Sequence, residues 1–107
     1  MYHTFTPEEW VVVKVTNNDP HYRLLCGWKD GKFKVSDKIT EYSCSIDKNM
    51  NMFIVSDGDE FHCEQKFYGC GDSIYHVWRA MQEQHPGECE LLTDTVKWYE
   101  IEWIGQI

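Results

Sequence analysis

Between residues 57 and 81 the chain spells out a turn, a strand, a second turn and a helix, in that order. Asp57-Gly58-Asp59 is the first turn. Residues 60–67 then alternate. Phe61, Cys63, Gln65 and Phe67 point one way, and Glu60, His62, Glu64 and Lys66 the other. Tyr68-Gly69-Cys70-Gly71 breaks the strand, and Asp72 or Ser73 can cap a helix over residues 72–84. Ile74, Val77, Trp78 and Met81 recur in it at i, i+3, i+4 and i+7, which makes one apolar stripe. Such a stripe has to be covered by a sheet, so the segment points to an antiparallel sheet with one helix laid on it.

The rest of the chain supplies the sheet. Residues 9–16, EWVVVKVT, are rich in β-branched side chains and follow Pro7. Thr16-Asn17-Asn18-Asp19-Pro20 turns the chain into a second strand over residues 21–28. There Tyr22, Leu24, Cys26 and Trp28 share one face and His21, Arg23 and Leu25 the other. Lys29-Asp30-Gly31-Lys32 is a hairpin signal, because Asp-Gly supplies the positive φ of a primed turn. Residues 32–35 read as a lysine-protected edge strand. In residues 40–46, Tyr42, Cys44 and Ile46 face opposite to Glu41, Ser43 and Ser45, and residues 50–55 follow after Asp47-Lys48-Asn49. His85-Pro86-Gly87 stops the helix. C-terminal strands are expected over residues 89–104, with a short one at 89–92 and a clear one at 95–104. The expected architecture is one α+β domain over residues 1–107. It is a curved, half-barrel-like antiparallel meander of six to eight strands with one amphipathic helix packed on it.

Composition narrows the function classes. No apolar run approaches the roughly 20 residues of a membrane span. The start, Met1-Tyr2-His3-Thr4-Phe5, lacks the pattern of a secretory signal, so a cytosolic protein is expected. A formal net charge of −8 disfavours direct binding to nucleic acid or to an anionic membrane. Five cysteines without a signal peptide read as reduced thiols.

Several constellations bear on chemistry. A zinc site needs four convergent ligands, usually delivered as close pairs, and no CxxC or HxxxH pair is present. Cys26, Cys44 and Cys63 each fall in the apolar register of their strand and read as core. Cys70, between two glycines before the helix, with His76 and Cys89, is the one set with reactive or ligating potential. Glu100 and Glu102 share a strand face about 6.5–7 Å apart, as the wet face of any strand allows. Neither a catalytic residue nor a metal or cofactor is expected. Trp98 lies among Glu100 and Glu102, and Trp10 shares a face with Lys14, so both are candidate exposed aromatics. Trp98, Glu100 and Glu102, with Glu60, His62 and Glu64, form the expected interface for a basic protein partner.

The opening Phe5-Thr6-Pro7-Glu8-Glu9-Trp10-Val11-Val12-Val13-Lys14-Val15, then Asp19-Pro20-His21-Tyr22-Arg23 and Gly27-Trp28, resembles a group of small uncharacterised proteins of tailed phages, many from viruses of cyanobacteria. Phe61-His62-Cys63-Glu64-Gln65-Lys66-Phe67-Tyr68-Gly69 is similar to the same group, which leads an aromatic strand with one cysteine into a Tyr-Gly turn and a helix. The resemblance covers residues 5–84. It departs at Lys29-Asp30-Gly31-Lys32-Phe33, where the group tends to carry a glycine-rich hairpin, and again after His85. It implies a phage origin, action in the cytoplasm of an infected bacterium, and no catalytic residue. The expected function is that of a phage accessory protein. It would act as a monomer or homodimer by stoichiometric binding to a host or anti-phage defence protein, with no direct nucleic acid or membrane contact. The alternatives are an acidic nucleic-acid mimic, a small-molecule binder or enzyme using the concave sheet face, and a virion component.

Overall fold

A computed structural model of the chain describes residues 3–16, 20–45, 50–64, 72–84, 86–92, 101 and 103. Eight strands and one helix lie among them: β1 (Thr4–Phe5), β2 (Glu9–Val15), β3 (His21–Gly27), β4 (Phe33–Val35), β5 (Ile39–Ser45), β6 (Met50–Val55), β7 (Glu60–Glu64), α1 (Asp72–Gln84) and β8 (Cys89–Leu91). The fold is α+β, mostly antiparallel, as the alternation predicts. The strands are divided, however, between two four-stranded sheets, ordered β1-β7-β6-β5 and β4-β3-β2-β8. We call these the first and second sheets. The pairing of β1 with β7 is parallel.

The division follows from β2. Trp10, Val11, Val12 and Val13 are all buried, so successive side chains on opposite faces of one strand both need cover. Trp10 and Val12 join Leu24 and Cys26 of β3 against Ile39, Phe53, Val55, Phe61 and Cys63 of the first sheet. Val11, Val13 and Val15 join Leu25 against Ile74 of α1. The layers are therefore sheet, sheet, helix. Val77, Trp78 and Met81 pack on this second core, as their spacing predicts, and Tyr75 and His76 face solvent.

Two turns are built alike. In each, a glycine at positive φ (Gly31, 88°; Gly58, 94°) donates its N–H to the carbonyl three residues back, Trp28 or Val55. The N–H of that same residue donates to the carbonyl of Lys32 or Asp59. The aspartate before each glycine accepts the N–H two residues on, both at 3.0 Å. This is a three-residue hairpin loop closed by a left-handed glycine, not the two-residue primed turn expected at Asp30-Gly31. Gly87, with φ 72°, follows the helix as the stop signal predicts.

Three expectations are corrected. Trp10 is not an exposed aromatic: it is fully buried and stacks obliquely on Phe53. Lys14, its face-mate, is half-buried at the end of the strand, opposite Tyr22 and Glu90. Cys44 is exposed, because it lies near the end of the β5–β6 hairpin, past the last core aromatic Tyr42. Ile101 and Trp103 sit in bends and not in a strand; the rest of the expected strand over 95–104 lies outside the described residues. Trp103 nevertheless enters the core, edge-on to Tyr22 at 5.1 Å and to Phe53 at 5.7 Å.

Removing that indole should leave a cavity between the sheets. Trp103→Ala is expected to lower stability by about 3–5 kcal/mol in urea unfolding. Phe33→Ser, at a side chain 60% exposed on edge strand β4, should change it by no more than about 0.5 kcal/mol.

Candidate functional site

Strands β6 and β7 alternate strictly in burial. Asn51, Phe53, Val55, Phe61 and Cys63 point inward, so Met50, Met52, Ile54, Glu60, His62 and Glu64 point out. The register sets Met50 beside Glu64, Met52 beside His62, and Ile54 beside Glu60. On the other side, Ser43 lies beside Met52 and Glu41 beside Ile54. A bulge between Ile39 and Glu41 lets both Ile39 and Tyr42 face the core, which an unbroken alternation would forbid. The outer face of the first sheet is thus an apolar row, Met50-Met52-Ile54, between acidic residues on either side. These three side chains pack in neither core.

The face is held firmly from beneath. The Trp10 indole Nε1 donates to the carbonyl of Glu64 at 2.8 Å, which ties the end of β7 to the second sheet. Asp59 accepts the backbone N–H of His3 at 3.0 Å, and Glu60 donates its own to the His3 carbonyl at 2.9 Å, which seats β1 along β7. On the surface, His62 Nε2 lies 3.2 Å from Glu60 Oε2. None of the four strands of this sheet contains a lysine or arginine. Among the strands, cations stand on the second sheet: Lys14, Arg23 and Lys34.

Glu60, His62 and Glu64 therefore share one face, as their alternation predicts. Trp98, Glu100 and Glu102 of the same expected interface lie outside the described residues. The apolar row and Glu41 went unread in the sequence. In MNMFIV both registers are apolar, and Asn51 in the inward one hides which set is buried.

The Cys70-His76-Cys89 set is not assembled among the described residues. His76 faces solvent on α1, whereas Cys89 packs in the core beneath that helix, its Sγ 3.8 Å from the Met81 carbonyl; Cys70 lies outside the described residues. No group of three or more His, Cys, Asp or Glu that could hold a metal occurs among the described residues. Cys26 and Cys63 lie in the core between the sheets, and burial pushes both thiols well above the ordinary range. The Cys89 thiol is raised by burial and by the carboxylate of Glu88.

One polar pair is built into that core. The Tyr42 hydroxyl donates to Asn51 Oδ1 at 2.7 Å, while Asn51 Nδ2 is buried without a hydrogen-bond partner among the described residues. Burial, with Cys44 nearby, pushes the phenol up to about 12.

Comparison of the chain with protein-family models, with curated proteins and with solved structures finds no match. Any functional reading therefore rests on the residues themselves.

Two outcomes follow. Alkylation with iodoacetamide at neutral pH should label Cys44 in the folded protein and reach Cys26 and Cys63 only on unfolding, as peptide mass spectrometry would show. Tyr42→Phe should cost about 1–2 kcal/mol in urea unfolding at neutral pH, because it leaves the buried Asn51 oxygen unpaired. A phenol raised in the folded state stabilises below its ordinary value of 10.0 and loses that contribution as pH climbs toward about 12. The variant should therefore lose less stability than the parent across that window.

Proposed function

We propose that this chain is a phage accessory protein. It binds a host or anti-phage defence protein stoichiometrically in the cytoplasm of the infected bacterium, and the outer face of the first sheet is its docking surface. The phage setting rests on the resemblance over residues 5–84. The surface rests on one observation: an apolar row, Met50-Met52-Ile54, flanked by Glu41, Glu60 and Glu64 on a sheet whose strands carry no cation.

The chemistry of that face selects the partner. Methionine side chains adapt to an apolar surface of varied shape. The flanking carboxylates favour lysine and arginine and reject acidic competitors. The matching occupant is a protein segment with an apolar stripe and basic margins. An interface of standard size needs only about 800 Å² from each partner. The apolar row also favours this reading over nucleic-acid mimicry, since a surface that imitates phosphates would present charge along its centre.

The test is an affinity capture of the tagged chain from host lysate, at moderate and high salt, with parallel captures by Met52→Lys and Glu64→Lys. One basic protein retained near equal stoichiometry is expected. Met52→Lys should weaken it by about 2 kcal/mol or more while circular dichroism stays unchanged. Glu64→Lys should mainly slow association and reduce its salt dependence. Retention by both variants at parental level would move the docking surface elsewhere. An empty capture would remove the protein-binding reading, and a partner released from DNA by the chain would restore mimicry.

A further inference from the structure

On the far side of the molecule, the two ends of α1 meet the second sheet differently. Near its start Ile74 is fully buried against Val11, Val13 and Leu25. Toward its end a cavity of about 450 Å³ opens between helix and sheet, lined by Val77, Ala80, Met81 and Gln84 above and Val15, His21, Arg23 and Val35 below. We propose that this wedge binds a small apolar monocarboxylate, with Arg23 as its anion anchor.

The lining argues for the ligand class. Among the described residues it contains one permanent cation and no carboxylate, in a chain with 18 acidic and 10 basic side chains. Arg23 is half-buried, where a charge is costly unless it is compensated. Among the described residues its hydrogen-bond partners do not compensate it. Nε donates to His21 Nε2 at 2.9 Å, and Nη1 donates to the Ser36 carbonyl at 3.1 Å. Both acceptors are uncharged: in the first bond the imidazole presents a lone pair at Nε2 and carries its proton on Nδ1. Among the described residues no carboxylate lies within ion-pair distance of Arg23. Asp37 senses it only as a weaker influence on its own carboxyl.

The same two bonds fix the direction of the guanidinium. His21 is 8% exposed and Ser36 is 1% exposed, and both are anchored, His21 in β3 and Ser36 by its hydrogen bonds to Leu24. Among the described residues Nη2 has no partner and is left for a ligand, and a charge-assisted bond from arginine to a carboxylate is among the strongest of its kind. Beyond it, Val15, Val35, Val77 and Met81 offer only aliphatic contact. A carboxylate with a short alkyl body matches both halves of the cavity, the cation and the aliphatic wall. The volume falls within the usual range of small-molecule sites, about 300–1,000 Å³.

Octanoate is the probe, with octanol and octylamine as controls of equal length. Methyl NMR of the whole chain reads the site directly, because Val15, Val35, Val77, Ala80 and Met81 all carry methyl groups in the lining. Octanoate should shift these methyls saturably, and octanol and octylamine should bind about tenfold more weakly or worse. Arg23→Gln should reduce octanoate binding by a similar factor and leave octanol unchanged. Should that variant fail to fold, Ala80→Trp fills the mouth without touching the anchor, and it should abolish the octanoate shifts. The proposal is overturned by unsaturable shifts, by equal affinity for octanoate and octanol, by octanoate binding that survives Arg23→Gln, or by shifts that persist in Ala80→Trp.

Discussion

A strand with four consecutive buried apolar residues has no wet face, and β2 imposes that condition on everything around it. Trp10 and Val12 demand a layer on one side, and Val11 and Val13 demand one on the other. Burying a side chain of this size is worth about 1.5–3 kcal/mol, so leaving either side uncovered would forfeit several such terms in a domain of marginal stability. The first sheet answers one demand and α1 the other. Strand β3 inherits the same double burial through its register with β2, which sets Val12 beside Leu24 and Val11 beside Leu25. The single helix and the division into two sheets are two solutions to one constraint.

Polar groups then fix how the layers sit. A buried donor or acceptor is expensive unless paired. Ser36, where the chain leaves the second sheet for the first, accepts the Leu24 N–H at 2.8 Å and donates its hydroxyl to the Asp37 carbonyl at 2.8 Å. Its own N–H donates to the Leu24 carbonyl at 2.9 Å, which extends the ladder one step past β4. Ser36 thus anchors the connector to the second sheet, and the Trp10 indole bonded to the Glu64 carbonyl ties that sheet to the first. Each tie also serves a surface. The Ser36 carbonyl aims Arg23, and the Glu64 carbonyl holds the strand that displays Glu60 and His62.

What could be read in the chain was what repeats locally. The helix over 72–84, its stripe at Ile74, Val77, Trp78 and Met81, the places of the two Asp-Gly turns though not the turn type at Asp30-Gly31, and the buried Cys26 and Cys63 follow from period and turn chemistry. What misled was position along an element. Lys14 shares a face with Trp10, and alternation alone cannot tell that Lys14 stands one residue from the strand's end while Trp10 packs on Phe53. Cys44 obeys the inward register of Tyr42 but lies past the edge of the core. The bulge at Ile39 has no glycine to announce it. Trp103 needed knowledge of a gap between sheets, bounded by Tyr22, Tyr42 and Phe53, which no local pattern contains. The outer face of β6 and the wedge beneath α1 likewise join residues far apart in sequence.

The net charge of −8 conceals a segregation that the layers create. The second sheet carries the strand cations, with Lys34 on edge strand β4, Lys14 near the end of β2 and Arg23 in β3 at the wedge. On the first sheet the outward positions of β6 and β7, with Glu41 and Ser43 of β5, hold carboxylates, methionines, Ile54, a serine and one imidazole. An acidic apolar face and a cationic apolar wedge thus occupy opposite sides of the molecule, with the aromatic core between them. Coupling between sites needs an element with two discrete arrangements, and a close-packed core of Trp10, Phe53 and Phe61 supplies none. Occupation of either surface should therefore leave the affinity of the other unchanged, so the acidic face and the arginine wedge are two separate binding surfaces on one rigid frame.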